Sequence, residues 1–197
     1  MKIILATHND NKLKEFKELL KDTPYDCVSL TELGYTEAIE ETGSTYRENA
    51  LVKVRKIAQY YPQIIISDDS GFEVDALNYE PGVYSSRYLG EKTPDFVKNT
   101  AILERMKGVD DRSARFVCAM ALKRGSFEWT CQGIVEGEVS DDIRGSGFGY
   151  DPIFIPRGLT QTFGEIDGVL KNTISHRGLA LQQVLHFLNT HKQELSI

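Results

Sequence analysis

Cysteine is scarce in this chain and does not pair by spacing: Cys27, Cys118 and Cys131 are the only three in 197 residues, and no CxxC occurs. An odd count without that spacing excludes a disulfide framework and a zinc knuckle, and it favours a reducing cytoplasm. Long apolar runs are also missing. The opening MKIILATHND holds one lysine and a single IILA run, too short for the apolar region of a signal peptide, and nothing approaches the roughly 20 residues that span a bilayer. The expectation is a soluble, unexported protein with no membrane partner. Positive charge is in deficit, with 23 Lys and Arg against 29 Asp and Glu, a formal net charge of -6 and a pI near 5.3. Such a balance argues against a surface that neutralises many nucleic-acid phosphates. A small polyphosphate stays open as a ligand, because a few lysines focused in a cleft can reverse the local potential of an acidic protein.

Several catalytic signatures are absent as well. There is no GxxxxGK[ST] phosphate loop, no GxSxG nucleophile elbow, and no HxH or HExxH metal spacing. Asp68 and Asp69 are adjacent, so the Asp-x-Asp pair of a haloacid-dehalogenase-type phosphatase is excluded too. His186 and His191 fall on the last helix and read as structural or surface residues.

What is present is an ordinary globular composition, 41% hydrophobic and 26% charged, without repeats or low-complexity tracts. At this length folding removes roughly 70% of the unfolded chain's surface from water, enough for a sizeable core. Order is expected everywhere except the last few residues. KIILA over residues 2 to 6 reads as a buried strand, THNDNK as a polar turn, and Leu13, Phe16, Leu19 and Leu20 as one face of a helix closed by Pro24. A second strand is expected around Cys27 to Leu30. Thr45 and Glu48 form a capping box that opens a helix with the stripe Tyr46, Ala50, Val54, Ile57 and Ala58, reaching Tyr60. On the opposite face Thr45, Asn49 and Lys53 lie one turn apart. IIIS begins another strand, taken to end in DDSG, with a short strand and a long ordered loop after it. Pro94 opens a helix running to Lys107, residues 114 to 122 and 127 to 139 pair as a hairpin, and RGSGFGYDP has too many glycines for a regular element. Ser175 caps a final helix with Leu181, Val184, Leu185 and Leu188 on one face. Early alternation of strands and helices followed by a late hairpin gives a mixed α/β fold, not a purely parallel sheet.

Five stretches could carry chemistry. In IIISDDSG, carboxylates at the end of a strand stand where α/β sheets hold ligands, and adjacent acids repel unless a cation offsets them. Mg²⁺ needs only one or two carboxylates, so Asp68 or Asp69 with a distant acid such as Glu41 would suffice; taken alone, DDSG is more often the chemistry of a solvated turn. THNDNK offers backbone amides at a helix start with Lys12 in the first turn, either an anion site or a plain loop. The Thr45, Asn49 and Lys53 face, preceded by Glu40 and Glu41, brings a cation near that same helix start. In GSGFGYDP, glycines flank Phe148 and Tyr150, so the backbone could approach a flat ligand under an aromatic ring, or the rings could be core. Finally, His176 and Arg177 place cations at a helix N-terminus. That choice opposes the macrodipole at about 0.3–1 kcal/mol each if exposed, and it hints at an anion or carbonyl ligand.

Taken together, ATHNDNK, EETGSTYRENALVK, SDDSGFEVDAL with PGVYSSRY, GFGYDPIF and LKNTISHRG occur in an order that resembles the inosine-triphosphate pyrophosphatase family, from residue 3 to about residue 188. The resemblance implies an ITPase-like (Maf/Ham1-like) α/β fold over residues 1–197. That fold is a single elongated domain of two lobes, with a central mixed sheet flanked by helices and a cleft between the lobes, usually as a homodimer. It further implies Mg²⁺-dependent hydrolysis of aberrant purine triphosphates (ITP, dITP, XTP) to the monophosphate and pyrophosphate, a cleansing of the nucleotide pool. By the same match, Thr7, His8, Asn9, Asp10, Asn11 and Lys12 form the first nucleotide loop, Glu41 and Asp69 bind Mg²⁺, and Asp69 accepts the proton of the attacking water. Lys53, Ser70 and Lys171 fall in the triphosphate site, Phe148, Gly149, Tyr150 and Asp151 hold base and sugar, and His176 with Arg177 reads the base edge. Two departures stand out: Asn11 replaces a glycine common in relatives, and TFGEIDGVLKN replaces a more acidic, helix-like stretch before Lys171. The alternatives are a non-catalytic nucleotide-binding module and a Maf-like pyrimidine triphosphate pyrophosphatase, although the Ser-rich first loop of the latter is not seen in ATHNDNK.

Overall fold

The computed structural model describes residues 1–193 and 195. The order expected to fail only at the last few residues concerns in part Glu194, Ser196 and Ile197, which lie outside the described residues. In chain order the elements are β1 (Lys2–Leu5), α1 (Asp10–Leu20), β2 (Asp26–Ser29), α2 (Tyr46–Ile57), β3 (Ile65–Val74), β4 (Glu80–Pro81), α3 (Asp95–Arg105), β5 (Ser113–Arg124), β6 (Phe127–Val139), β7 (Phe154–Pro156), α4 (Gly168–Ile174) and α5 (His176–Thr190). The sheet is mixed, in the order β2-β1-β3-β5-β6-β7 with β4 beside β3. β1 runs parallel to β2 and β3, whereas β4 is antiparallel to β3 and β7 to β6.

The chain divides into two compact units, one of residues 1–69, 118–133 and 177–197, the other of residues 70–117 and 134–176. In the first unit, two apolar cores cover opposite faces of the strands. Phe16 and Leu20 of α1 and Leu181, Val184 and Leu188 of α5 pack with Ile3, Leu5, Ile64, Ile66 and Met120. Ala50, Val54 and Ile57 of α2 pack with Ile4, Ala6, Ile65 and Ala121. Each buried aliphatic side chain contributes about 1.5–3 kcal/mol, so these two stripes, spaced for helices and alternating on strands, hold the unit together. The helix starts follow the sequence. The Asn9 side chain accepts from the N–H of Asn11 and Lys12, and Thr45 with Glu48 forms the expected capping box at α2.

β3 differs from the expectation in a way that matters later. It does not end at DDSG but runs for ten residues in all, from Ile65 through Val74, so Asp68 and Asp69 are mid-strand neighbours. Successive strand side chains point to opposite faces. Ile64 and Ile66 join the α1 and α5 core, Ile65 joins the α2 core, and Ser67, on the α2 side, donates to the Ala50 carbonyl at 2.6 Å.

The second unit has an aromatic core of Phe72, Phe116, Phe154, Phe163 and Tyr150. The Phe116 and Phe154 rings meet edge to face at 4.9 Å, and Phe72 stacks on Tyr150 at 5.0 Å. Gly137 is required where β6 passes β7, because a Cβ there would lie 2.2 Å from the Ile155 carbonyl oxygen. Residues 144–150 lack regular structure, as the glycines imply. The sequence reading missed β7 and the short helix α4, which places Lys171 in helical backbone because Asp167 accepts from the N–H of Val169 and Leu170, whereas residues 162–167 before it form turn and loop. Burial raises the thiols of Cys27 to about 11 and Cys131 to about 12, and it raises that of Cys118 as well.

The capping box predicts a stability effect in isolation from any site. Thr45→Ala should cost about 1 kcal/mol in urea unfolding, and an unchanged midpoint would show that the cap contributes nothing.

Candidate functional site

Asp69 lies on the α2 side of β3. Lys53, two turns into α2, donates to Glu41 Oε1 at 2.9 Å and approaches Asp69 Oδ1 at 3.8 Å, so one ammonium serves two carboxylates. Asn49, one turn earlier and fully buried, bonds both sides of this group. Its Nδ2 donates to Asp69 Oδ2 at 2.9 Å, and its Oδ1 accepts from the Gly43 N–H at 2.8 Å, which fixes the connector that carries Glu41. Burial raises the Asp69 pKa; Lys53 opposes that shift and the Glu41 charge adds to it, so this carboxylate holds a proton more readily than an ordinary aspartate. Burial works against the charge of Lys53, yet Asp69 and Glu41 outweigh it and the pKa is raised.

Asp68 faces α1 and α5. Lys12 reaches its Oδ2 at 3.0 Å, and Arg177 donates to the same oxygen through Nε and Nη2, each at 3.2 Å. Arg177 also pairs with Glu15. Burial alone would raise the Asp68 pKa, but Lys12 and Arg177 dominate and hold the carboxyl far below its usual range. The two aspartates are therefore not one repelling pair awaiting a shared metal. Each faces its own cations on its own side of the strand.

The donor set on the Asp69 side suits a hard divalent ion. Two carboxylates gathered by a single cation match Mg²⁺, which keeps most of its waters and takes one or two protein acids. Among the described residues no group of three or more His, Cys, Asp or Glu side chains gathers as a closed metal cage.

The first loop is bonded within itself. The Thr7 hydroxyl accepts from the Asn9 N–H, and Asn9 takes the N–H of Asn11 and Lys12, so these amides are already satisfied. His8 is exposed, stacks on Tyr35 with ring centroids 6.2 Å apart, and its Nε2 lies 3.1 Å from the Glu37 carbonyl; Asp10 is exposed in the first turn of α1.

The second unit holds the remaining expected residues. Asp151 is buried; its Oδ2 accepts from Lys171 Nζ at 2.7 Å and from the Phe148 N–H at 3.0 Å. Gly149 donates to Asp95 Oδ2 and its carbonyl accepts from Asn99. Tyr150 is core: its ring stacks on Phe72 and its hydroxyl donates to the Ser85 carbonyl. Phe148 is half-buried, Ser70 follows Asp69 on β3, and His176 lies flat on Phe116 with centroids 4.7 Å apart. The anion implied by cations at the start of α5 exists for Arg177 inside the protein, as Asp68 and Glu15. Sequence reasoning placed Asn49 on the right helix face but gave it no role, and it missed Glu15 altogether. The i, i+4 spacing of Asn49 and Lys53 was the available signal for the first; Glu15 had none, because its partner is far along the chain.

A family model described as the Ham1 family matches residues 3–187. The chain is 46% identical over 189 residues to a dITP/XTP pyrophosphatase of Bacillus subtilis, covering 94% of this chain and 96% of the relative. A dITP/XTP pyrophosphatase of Desulforamulus reducens is 44% identical over 194 residues, covering 96% of each. Among solved structures, a HAM1 protein from Coxiella burnetii has a TM-score of 0.86 at 42% identity, covering 96% of this chain and 98% of that one. The Staphylococcus aureus Ham1 protein follows at 0.85 and 38%, with the same coverage. Near-complete coverage at these identities joins fold and sequence in one conclusion: the chain belongs to the Ham1 family.

Proposed function

We propose that this protein is a Mg²⁺-dependent pyrophosphatase of aberrant purine nucleoside triphosphates, acting on dITP, ITP and XTP. The observation that carries the reading is the sharing of the Lys53 ammonium by Glu41 and Asp69 on one face of β3. The choice of nucleotides follows the names of the Bacillus and Desulforamulus relatives. Glu41 and Asp69 hold the ion, which when bound supplies Lewis-acid polarisation of phosphate oxygens. Asp69 takes a proton from the water that attacks the α-phosphorus; the new bond joins water oxygen to phosphorus, and the bond to the pyrophosphate oxygen breaks. Lys53 and Lys12 offset negative charge on the leaving pyrophosphate, since positioning and electrostatics are what a protein offers phosphoryl transfer. Asp68 takes no part in the proton transfer and instead orients Lys12.

Thr7 to Asn11, Ser70, Phe148, Gly149, Asp151, Lys171, His176 and Arg177 keep their nucleotide-binding roles on the family resemblance, whereas Tyr150 supports its neighbours from the core. Discrimination falls on the purine 6-position: donors aimed at a 6-oxo group would be left unpaired by the amino group of ATP, a difference that hydrogen-bonded sites turn into about 10⁴-fold or more. A cytoplasmic homodimer completes the proposal. No helix of the described residues is long and apolar enough to cross a membrane.

Pyrophosphate release should be fast with dITP, ITP and XTP, slow with ATP and dUTP, and abolished by EDTA. Equal turnover of ATP and ITP defeats the specificity, preference for pyrimidines restores the Maf-like alternative, and no release with any nucleotide leaves a binding module. The adjacent aspartates should separate cleanly. Asp69→Asn should lower kcat by about 10²–10⁴-fold with little change in thermal stability. Asp68→Asn should instead destabilise by about 3–5 kcal/mol, because buried Arg177 loses a charge partner; comparable unfolding midpoints for the two variants would contradict this division.

A further inference from the structure

Lys53 stands in an unusual place for a residue whose expected task is to meet phosphate. Its ammonium is bonded between the two carboxylates assigned to the divalent ion, at 2.9 Å from Glu41 Oε1 and 3.8 Å from Asp69 Oδ1, on a side chain only 9% exposed. A divalent cation that draws both acids into its coordination shell at about 2.0–2.1 Å is brought close to an ammonium of like charge that holds one oxygen of each acid, so metal and ammonium repel one another across the pair. With neither present, the two acids repel each other, since like charges in a buried site do so. Asn49 meanwhile bonds the other oxygen of Asp69 and the backbone next to Glu41. The acids are thus held in place by an amide that needs no exchange, and by an ammonium that does.

We propose that Lys53 is a resident counter-ion that competes with the divalent metal for Glu41 and Asp69, leaving the pair when the metal enters and becoming free for phosphate only then. This rests on the proposed function, because it takes Glu41 and Asp69 as the metal ligands. The exchange makes metal and polyphosphate cooperative: nucleotide offers the displaced ammonium a new anion, so metal binds better with nucleotide than without it. Lys12 has no such role. Its partner is Asp68, on the other face of β3, which also holds Arg177.

The test is direct binding of Mn²⁺ to nucleotide-free protein, followed by the loss of the free-ion EPR signal, in wild type, Lys53→Met, Lys53→Gln, Lys12→Met and Glu41→Gln. Circular dichroism melting establishes which variants are folded, and the Gln variant serves if the Met variant is not. Removing the resident ammonium should tighten Mn²⁺ binding several-fold, with a much smaller gain for Lys12→Met although the charge change is identical. Unchanged or weaker binding by both Lys53 variants, or equal tightening by Lys12→Met, overturns the exchange. Weak binding by Glu41→Gln alongside either result shows that the metal site itself stands. Binding by wild type that Glu41→Gln leaves intact removes the metal site and the exchange together.

Discussion

The structure depends on the two-residue period of one strand. Ile64 and the first five residues of β3, Ile65 to Asp69, cross the first unit in strict alternation, so even-numbered side chains meet α1 and α5 and odd-numbered ones meet α2. The isoleucines set the phase by burial, at about 1.5–3 kcal/mol each, far more than the aspartates could impose on their own. Asp68 and Asp69 inherit that phase. Two residues that look alike in sequence therefore enter different electrostatic environments: one is held ionised by Lys12 and Arg177, the other is shared with Glu41 around a single ammonium.

Buried charges of this density are costly, and the arrangement offsets the cost by pairing every one of them. Arg177 at the start of α5 opposes the helix dipole, yet Asp68 and Glu15 supply it with two carboxylates. Removing water from such a network is unfavourable, so its presence is a poor device for stability alone. It does fix the direction of Lys12 and of the strand segment next to Asp69, and that is what a site for polyphosphate demands.

Much of this was legible in the sequence because it is local. The capping box of Thr45 and Glu48, the apolar stripes of α1, α2 and α5, the β5–β6 hairpin and the blocks shared with the family all lie in short windows. Proximity of Glu41 to Asp69 and Lys53 was also anticipated. What failed was the end of β3: serine and glycine in DDSG suggested a turn, but the strand continues because Phe72 and Val74 are needed in the second unit's core. The helix α4 was hidden by Gly168 and by the absence of any buried side chain within it. Tyr150, legible as either a ligand platform or a core ring, is core, a matter settled by partners up to 78 residues away in sequence and invisible to spacing. The pairing of Arg177 with Asp68 joins the last helix to the middle of the chain, a separation no local pattern encodes.

The three sulfhydryl groups mentioned with the fold have a chemical consequence of their own. Peroxides and electrophiles attack the thiolate, and burial keeps Cys27, Cys118 and Cys131 protonated well past neutral pH. Cys118 feels the charges of Asp68, Arg177 and Lys12, but no thiol takes a step in the proposed hydrolysis. The proposed hydrolysis thus runs on oxygen and nitrogen groups alone, in a scaffold whose thiols are poor nucleophiles at neutral pH.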